Sequence, residues 1–556
     1  MPQKSPKSIK NWLIASLSGI SIICILAFSS PGDRFFEIAK NLDIYASVFK
    51  ELNKFYVDEV NPNQAVKTSI DALLKSFDPY TVFYPEDELE DFLTMTTGKY
   101  QGIGIILAEI NDTYRISFIE ENSPALKAGL GIGDQILSVN GIALSDKPEA
   151  DPSKLLHGQA GTKILVKVIK NGQTTPQEIS INRETVQIKN VVYSGIIQPG
   201  VGYILLEDFN ASAAKELKNA LQSLKQAGMK KLILDLRENP GGLLTQAVDI
   251  CNLFLPKDSE VVSTRGKVEE WNKTYNALNP SMEPELPLII LINNHSASAS
   301  EIVAGVMQDY DRAVLIGQKS FGKGLVQVTR DLPFRTKMKI TTAKYYIPSG
   351  RCIQAIDYQH RNPDGSAVAL KDSNSKTFYT KNHRKVVDGG GITPDITVDK
   401  LTTSSFTIAL QKQHMIFLYA CYFRSNHPNI PPAKDFSLNT TEYQAFCTWL
   451  KKQNFKFESQ IEKQLHIISE LAKKDKSYAN MEPSLQNFRK EWASNMDREL
   501  SAYQSDISTL LEQEIVQHYY LQKGMNEWSF SKDPSIREAL KLFEQNNRFQ
   551  SILAGK

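Results

Sequence analysis

Between Gly202 and Ile316 the chain alternates short apolar runs with amphipathic ones, and this pattern limits the fold more than any other feature. Tyr203–Glu207 reads as strand and Ala213–Gln226 as helix. Lys231–Leu236 reads as strand and Leu243–Leu255 as helix. Leu288–Ile292, Glu301–Asp309 and Ala313–Ile316 continue as strand, helix, strand. Such alternation predicts a layered α/β core. Ligands in such cores sit at the carboxyl ends of strands, where Gly241-Gly242 and Ser298 fall.

The densest chemistry lies at one of these junctions. The run Pro287–Ile292 leads into Asn294-His295-Ser296-Ala297-Ser298-Ala299-Ser300-Glu301, and a helical run follows. A serine here sits at a helix N-terminus, where backbone N–H groups are free and the dipole favours negative charge. That setting suits a nucleophile and the oxyanion it creates. Lys323, flanked by Gly322 and Gly324, comes 25 residues after Ser298, far enough to return on a neighbouring strand. The pair suggests a Ser-Lys hydrolase rather than a Ser-His-Asp enzyme. Three residues before Ser298, His295 has no carboxylate at a spacing that would orient it, and reads as a loop histidine. Gly241 and Gly242, between a strand and a helix, expose N–H groups with no side chain in the way. The chain lacks a Walker lysine and a dinucleotide fingerprint, which argues against a phosphate cradle.

At 556 residues the chain should hold several domains. Lys+Arg 64 against Asp+Glu 62 gives a net charge of +2, which lends no support to nucleic-acid binding. Five scattered cysteines show neither metal-ligand spacing nor a disulfide framework, and Cys251 reads as a buried free thiol. Lys4, Lys7 and Lys10 precede an uncharged apolar stretch from Trp12 to Phe28. This is the layout of a signal peptide or a single membrane anchor at residues 12–28, and it predicts export to the cell envelope or periplasm. Residues 31–97 read as helical. Residues 98–184 read as a β-rich module, with strand-like runs that include Ile103–Leu107 and Lys163–Ile169 and one short helical piece at Pro124–Gly129. The core fills 185–400, and 401–556 read as a helical domain. Its apolar stripes, Ile461-Leu465-Ile468 and Leu485-Phe488-Trp492-Met496-Leu500, are expected to form core.

In order along the chain come Asp78-Pro79-Tyr80-Thr81, Gly102-Ile103-Gly104-Ile105, Ser123-Pro124-Ala125, Gly133-Asp134 and Val139-Asn140-Gly141. Asp235 to Gly242, Ser296 to Glu301, Gly322-Lys323-Gly324 with Gln327, Tyr345 to Arg351 and Gly391 to Ile396 follow. Together these resemble the C-terminal processing peptidases, or tail-specific proteases, over residues 35 to 400. The resemblance implies a multidomain α/β fold: a crotonase/Clp-protease-like core with an inserted PDZ domain, an N-terminal helical segment and a helical C-terminal domain. It implies a serine endopeptidase that binds free protein C-termini and cuts nearby, without metal or organic cofactor.

The same resemblance assigns roles. Ser298 would be the nucleophile, with Ser296 and Ser300 as caps and turn formers. Lys323 would be the general base; an exposed lysine titrates at about 10.4, so burial must lower it. Gln327 would orient the lysine. Gly242 or, less favourably, Gly241 would form the oxyanion hole with the N–H of Ala299. Glu301 and Asp309 would give structural support, since a carboxylate touching the lysine amine would raise its pKa. Gly102, Ile103, Gly104 and Ile105 would form the PDZ loop that takes a C-terminal carboxylate while the tail adds as a strand. A homo-oligomer is compatible with the sequence, which does not fix the oligomeric state. Two other classes fit parts of the pattern: a non-catalytic tail-binding adaptor or chaperone, and, by fold analogy alone, an acyl-CoA enzyme of the crotonase type.

Overall fold

The computed structural model describes residues 31–146, 152–362, 364, 366–370, 376–399, 404–474, 482–488 and 496–556. The apolar run at residues 12–28 and Trp492 lie outside these. Among the described residues no helix is long and apolar enough to cross a membrane. The described residues fall into two units, 31–83 and 84–556.

In the first unit, helix α1 (Pro31–Phe55) is followed by α2 (Pro62–Lys75). Pro62 at the first helical position and the Asn61 side chain, which accepts from the Gln64 N–H, start α2.

The second unit begins with α3 (Leu89–Thr97), ended by Gly98 in the left-handed region at φ 67. A β-rich module follows: β1 (Lys99–Gly102), β2 (Ile105–Ile110), β3 (Thr113–Ile119), the short helix α4 (Pro124–Lys127), β4 (Gln135–Val139) and β5 (Ile142–Ala143). Helix α5 (Ser153–Leu156), β6 (Lys163–Ile169), β7 (Gln177–Asn182) and β8 (Glu184–Gln187) complete it. Its antiparallel sheet runs in the order β2-β3-β4-β6-β7, so β2 has a free edge. Strand β6 shows the alternation of a half-buried strand, with Ile164, Val166 and Val168 fully buried.

The core sheet is built from β9 (Val191–Gln198), β10 (Val201–Leu206), β11 (Lys231–Asp235), β14 (Leu288–Ile292), β15 (Val314–Gly317) and β18 (Ile396–Thr397), in that order. Only β9 runs antiparallel to its neighbour. Every residue of β14 is buried, as expected of a parallel strand covered on both faces. One face carries α6 (Ala213–Gln226), α7 (Leu244–Phe254) and α8 (Ala299–Asp309). Strand β12 (Glu260–Gly266) pairs with β13 (Thr274–Asn276) and with β17 (Thr336–Tyr346), which forms a hairpin with β16 (Leu325–Leu332).

The other face of the sheet is covered from the far end of the chain. Helices α14 (Pro534–Glu544) and α15 (Asn546–Leu553) pack Ile536, Ala539, Leu542, Phe543 and Phe549 against Tyr203, Ile233, Ile289, Leu291 and Ile316. These two helices therefore complete the α/β core in space, although they fall at the end of the predicted helical domain. In the rest of that domain α9 (Ser405–Lys412), α10 (Met415–Asn426), α11 (Thr440–Leu450) and α13 (Gln504–Ser529) share a core around Phe406, Phe446, Leu511 and Trp528, while α12 (Gln460–Lys473) buries Leu465, Ser469 and Ala472. Of the predicted stripes, Leu465 and Leu500 are buried, while Ile461, Ile468 and Phe488 stand exposed. Phe417 and Cys421 of α10 join the core of the β-rich module, and the Asn171 side chain donates to the Cys421 carbonyl at 2.8 Å. Helix α13 breaks at Leu521, φ 55 and ψ −158, and Leu521 packs against the same module.

Candidate active site

Strand β14 ends at Ile292 and α8 begins at Ala299, and the six residues between them are tied down by hydrogen bonds to the loop after β11. The Ser296 hydroxyl donates to the Leu236 carbonyl at 2.8 Å and accepts from the Asn293 N–H at 2.9 Å. The Ala297 N–H and the Ser300 hydroxyl both donate to the Asn239 carbonyl, at 3.0 and 2.9 Å. Ser296 and Ser300 thus tie two loops together rather than cap a helix, and both are fully buried. His295 is exposed and its N–H donates to Asn293 Oδ1.

Ser298 adopts φ 55 and ψ −112, outside the regions a β-carbon favours. Its N–H donates to Glu301 Oε2 at 2.8 Å. Its carbonyl accepts from the Ile302 N–H at 2.9 Å and from the Tyr345 hydroxyl at 3.2 Å. The residue is fixed on both peptide sides, which lets the surroundings hold a strained conformation.

Glu301 is the brace of the site. Its carboxylate is fully buried and accepts four hydrogen bonds. Oε2 takes the Ser298 N–H and, at 2.9 Å, the Lys323 N–H. Oε1 takes the Gly322 N–H at 2.7 Å and the Ser320 hydroxyl at 2.5 Å. The Ser320 oxygen in turn accepts from the Ile392 N–H at 2.6 Å. Burial pushes the Glu301 pKa above its ordinary value, and the bonds from Ser320, Lys323, Gly322 and Ser298 oppose the shift. The backbones of Ser298 and Lys323 therefore share one oxygen atom. Glu301 was expected only as unspecified support; its spacing gave no sign that it joins both loops, and nothing in the sequence marked Ser320.

Ser298, Lys323, Gln327, Gly241, Gly242 and Ala299 all line one cavity of about 630 Å³. Its walls include Phe92 and Met95 from α3, Leu244, Ile302 and Leu325, and its polar rim includes Lys189, Glu207, Asp208 and Lys339. The contribution of α3 was not foreseen. The Gln327 amide donates to Thr341 Oγ1 at 3.1 Å.

Gly241 adopts φ 96, and a β-carbon there would lie 2.6 Å from the Ala297 carbonyl oxygen and 2.8 Å from the Ala299 nitrogen. Its N–H donates to Asn239 Oδ1 at 2.8 Å, while the Asn239 amide donates to the Leu206 carbonyl. Among the described residues no hydrogen bond engages the N–H of Gly242 or of Ala299. Asp309 lies outside the cavity. It accepts from Arg351 Nη2 at 2.8 Å and from the Ser349 N–H at 2.9 Å, holding the loop after β17.

In the β-rich module Gly102, Ile103, Gly104 and Ile105 are all buried. The Ile103 and Gly104 carbonyls accept from the N–H groups of Ala125 and Glu120, at 3.0 and 2.9 Å. The loop leads into β2, which among the described residues is an edge strand of the module's sheet. Among the described residues no group of three His, Cys, Asp or Glu side chains could hold a metal ion.

Residues 200–360 match Peptidase family S41, residues 101–181 match the PDZ domain, and residues 406–543 match the family "Probable PDZ-protease, C-terminal helical domain". The chain is 34% identical over 321 residues to the carboxy-terminal-processing protease of Bartonella bacilliformis, covering 57% of this chain and 73% of that one. It is 32% identical over 357 residues to a probable CtpA-like serine protease of Staphylococcus aureus, covering 62% and 71%. Among solved structures, the photosystem II D1 C-terminal processing protease is 24% identical, covers 64% of this chain and 92% of that one, and gives a TM-score of 0.34. The chain belongs to the S41 peptidases with a PDZ domain. It is a carboxy-terminal-processing serine protease.

Proposed function

We propose that Ser298 and Lys323 form the catalytic dyad of this protease, with Gln327 orienting the lysine and the N–H groups of Gly242 and Ala299 forming the oxyanion hole. The carrying observation is that Ser298, in its strained turn, and Lys323 face one cavity from two loops whose N–H groups share Glu301 Oε2. Neutral Lys323 Nζ takes the hydroxyl proton as Ser298 Oγ bonds to the scissile carbonyl carbon. The tetrahedral oxyanion is held by the two N–H groups. The C–N bond breaks as the lysine ammonium returns the proton to the leaving amine, leaving an acyl-enzyme. Water then attacks the ester carbon, giving a proton to neutral Lys323 Nζ; the C–Oγ bond breaks as the ammonium returns that proton to Ser298 Oγ, releasing the new carboxyl terminus. The Gly241 N–H is engaged by Asn239, so Gly241 serves the hole by allowing close approach to the serine loop.

The loop Gly102–Ile105 takes the substrate carboxylate, and the tail adds along the free edge of β2. The fine fold of the core is of the crotonase/Clp-protease kind, bounded in sequence near residues 185 and 400. The apolar run at 12–28 directs the chain to the envelope, as signal peptide or anchor. The test compares a peptide ending in a free carboxylate with its C-terminal amide. The acid should be cut at least about tenfold more efficiently, since charge-assisted hydrogen bonds are roughly twice as strong as neutral ones. Ser298→Ala should cut neither while still binding the acid peptide. Equal rates for acid and amide would remove the loop assignment, and residual turnover in Ser298→Ala would remove the dyad.

A further inference from the structure

The loop between β11 and α7 holds the serine loop at several points. The Leu236 carbonyl takes the Ser296 hydroxyl, the Asn239 carbonyl takes the Ala297 N–H and the Ser300 hydroxyl, and Asn239 Oδ1 takes the Gly241 N–H. Between Leu236 and Asn239 the chain turns tightly, with Glu238 at φ 61, a conformation that a β-carbon disfavours. Such a turn keeps its shape only where its surroundings fix it. Arg237, inside the turn, is not part of the cavity wall. Its N–H donates to Asp235 Oδ1 at 2.9 Å, its Nε reaches both Asp235 oxygens at 3.0 Å, and its Nη2 donates to Asp235 Oδ2 at 2.6 Å. Its Nη1 donates to Asp533 Oδ2 at 2.7 Å.

The two carboxylates hold the guanidinium from different elements. Asp235 is buried at the end of β11, accepts from the Tyr203 hydroxyl at 2.7 Å, and grips one edge of the guanidinium. A grip on one edge leaves the plane able to swing about that edge. Among the described residues Asp533 is the one group from beyond the turn that bonds the guanidinium, and it holds the far corner. Asp533 has a fixed place of its own. As N-cap of α14, its Oδ1 accepts from the N–H groups of Ser535 and Ile536, at 2.8 and 3.0 Å. Helix α14 is seated on the sheet by Ile536, Ala539, Leu542 and Phe543, and the Phe530 ring meets the Tyr203 ring at 5.0 Å. The side chains of Arg237 and Asp533 are 21% and 19% exposed, so their charge-assisted bond is screened less than a surface pair.

We propose that Asp533 is a positioning residue for the reaction. One oxygen caps α14 and the other, through Arg237, holds the turn at 236–239, and with it the oxyanion-hole glycine and the serine loop, in place against the helix layer. This role rests on the reading of Ser298 and Lys323 as the dyad with Gly242 and Ala299 as the oxyanion hole. The last helices then serve catalysis as well as covering the sheet. A displacement of about 1 Å at a positioning group costs about 100-fold in rate; losing one of two anchors should cost less, about tenfold in kcat.

The experiment separates the cap from the anchor in the full-length protease. Serine caps a helix about as well as aspartate, but is too short and uncharged to hold the guanidinium. Asp533→Ser should therefore keep KM and the affinity for a peptide with a free carboxylate within about twofold of wild type, while kcat falls about tenfold. Asp533→Asn should fall likewise, because its single oxygen is needed at the cap and its NH₂ would face Nη1, donor to donor. A kinetic cycle adds a readout that a role in stability alone would not move. Arg237→Gln leaves the cap of α14 intact and should lower kcat at least as much, and Arg237→Gln with Asp533→Ser should be no more than about twofold slower than Arg237→Gln alone. All rates are measured well below the unfolding midpoint of every variant, so that unfolding does not imitate the loss. A kcat for Asp533→Ser within about twofold of wild type overturns the proposal, as does a loss confined to KM, or losses that multiply in the double variant. Ser298→Ala tests the dyad separately. Turnover surviving there removes the reading beneath, whereas an inactive Ser298→Ala beside a fully active Asp533→Ser removes the anchor alone.

Discussion

Replacing Glu301 by glutamine keeps the shape of the brace and removes half of its accepting capacity. The carboxylate meets four donors, two at each oxygen. Glutamine offers one carbonyl oxygen and one NH₂. With the oxygen facing Ser298 and Lys323, the NH₂ faces the Ser320 hydroxyl, which can turn and accept, and the Gly322 N–H, which cannot. One buried backbone N–H left unpaired costs about 1–3 kcal/mol. The bonds that remain lose their charge assistance, about 1 kcal/mol more. Removing a buried charge offsets part of this, because burial already disfavours the ionised form. The net stability loss of Glu301→Gln is therefore small, about 1–2 kcal/mol. The catalytic loss is larger, because both loops that carry the proposed dyad lose a common anchor. About 2–3 kcal/mol of positioning corresponds to a roughly 30- to 160-fold fall in kcat.

The pH dependence carries a sign. The folded-state pKa of Glu301 lies above the ordinary 4.5, so between those values the folded chain binds more protons than the unfolded one. Stability contributed by this group is present below 4.5 and is lost as pH rises through the folded pKa. The wild type should therefore gain stability relative to Glu301→Gln on acidification through that window. Chemical denaturation at several pH values together with steady-state kinetics on a short peptide tests both parts. A Glu301→Gln protein within threefold of the wild-type kcat would refute the brace, and a stability difference that does not move with pH would refute the assigned shift.

Lys323→Arg should be as inactive as Lys323→Ala, since a guanidinium cannot deprotonate in the accessible range; turnover above a few per cent of wild type would show that the lysine is not the base. Gly241→Ala should lower kcat about 100-fold or more, because its β-carbon would meet Ala297 O at 2.6 Å and the φ of 96 strains any side chain; near-normal kinetics would exclude Gly241 from shaping the serine loop. Phe543→Ala should cost about 3–5 kcal/mol in urea unfolding, as it empties the packing between α14 and the central sheet. A loss under 1 kcal/mol would mean that the last helices do not complete the core.

Much of this was legible because it rests on local periodicity. Leu288–Ile292, Ala213–Gln226 and Lys163–Ile169 have the bounds their patterns predict. Other elements shift at their ends: Ile103–Leu107 becomes Ile105–Ile110, because Gly104 at φ 82 turns the chain before the strand begins. What the sequence hid is relational. The stripe Ile536-Ala539-Leu542-Phe543 announces an amphipathic helix, but no pattern says that it covers Tyr203 and Ile289, more than 240 residues earlier. Ser296 and Ser300 look like caps because serine commonly caps helices; their bonds to Leu236 and Asn239 depend on where the next loop lies. The exposed stripes at Ile461 and Ile468 have helical spacing, yet periodicity cannot tell a packed face from an open one.

The strain at Ser298 and the brace at Glu301 belong to one device. A serine at φ 55 and ψ −112 costs about 1–3 kcal/mol relative to an ordinary conformation, so it persists only where neighbours over-determine it. Here the N–H is held by Glu301, the carbonyl by Ile302 and Tyr345, and Ala297 by Asn239. With both flanking peptides fixed, the following N–H, that of Ala299, is left without a partner at the cavity wall, and the N–H of Gly242 is unengaged on the same cavity. The Glu301 carboxylate bonds the serine's own N–H and that of Lys323, so both loops are fixed while the Ala299 donor stays available for the charge that the proposed reaction develops.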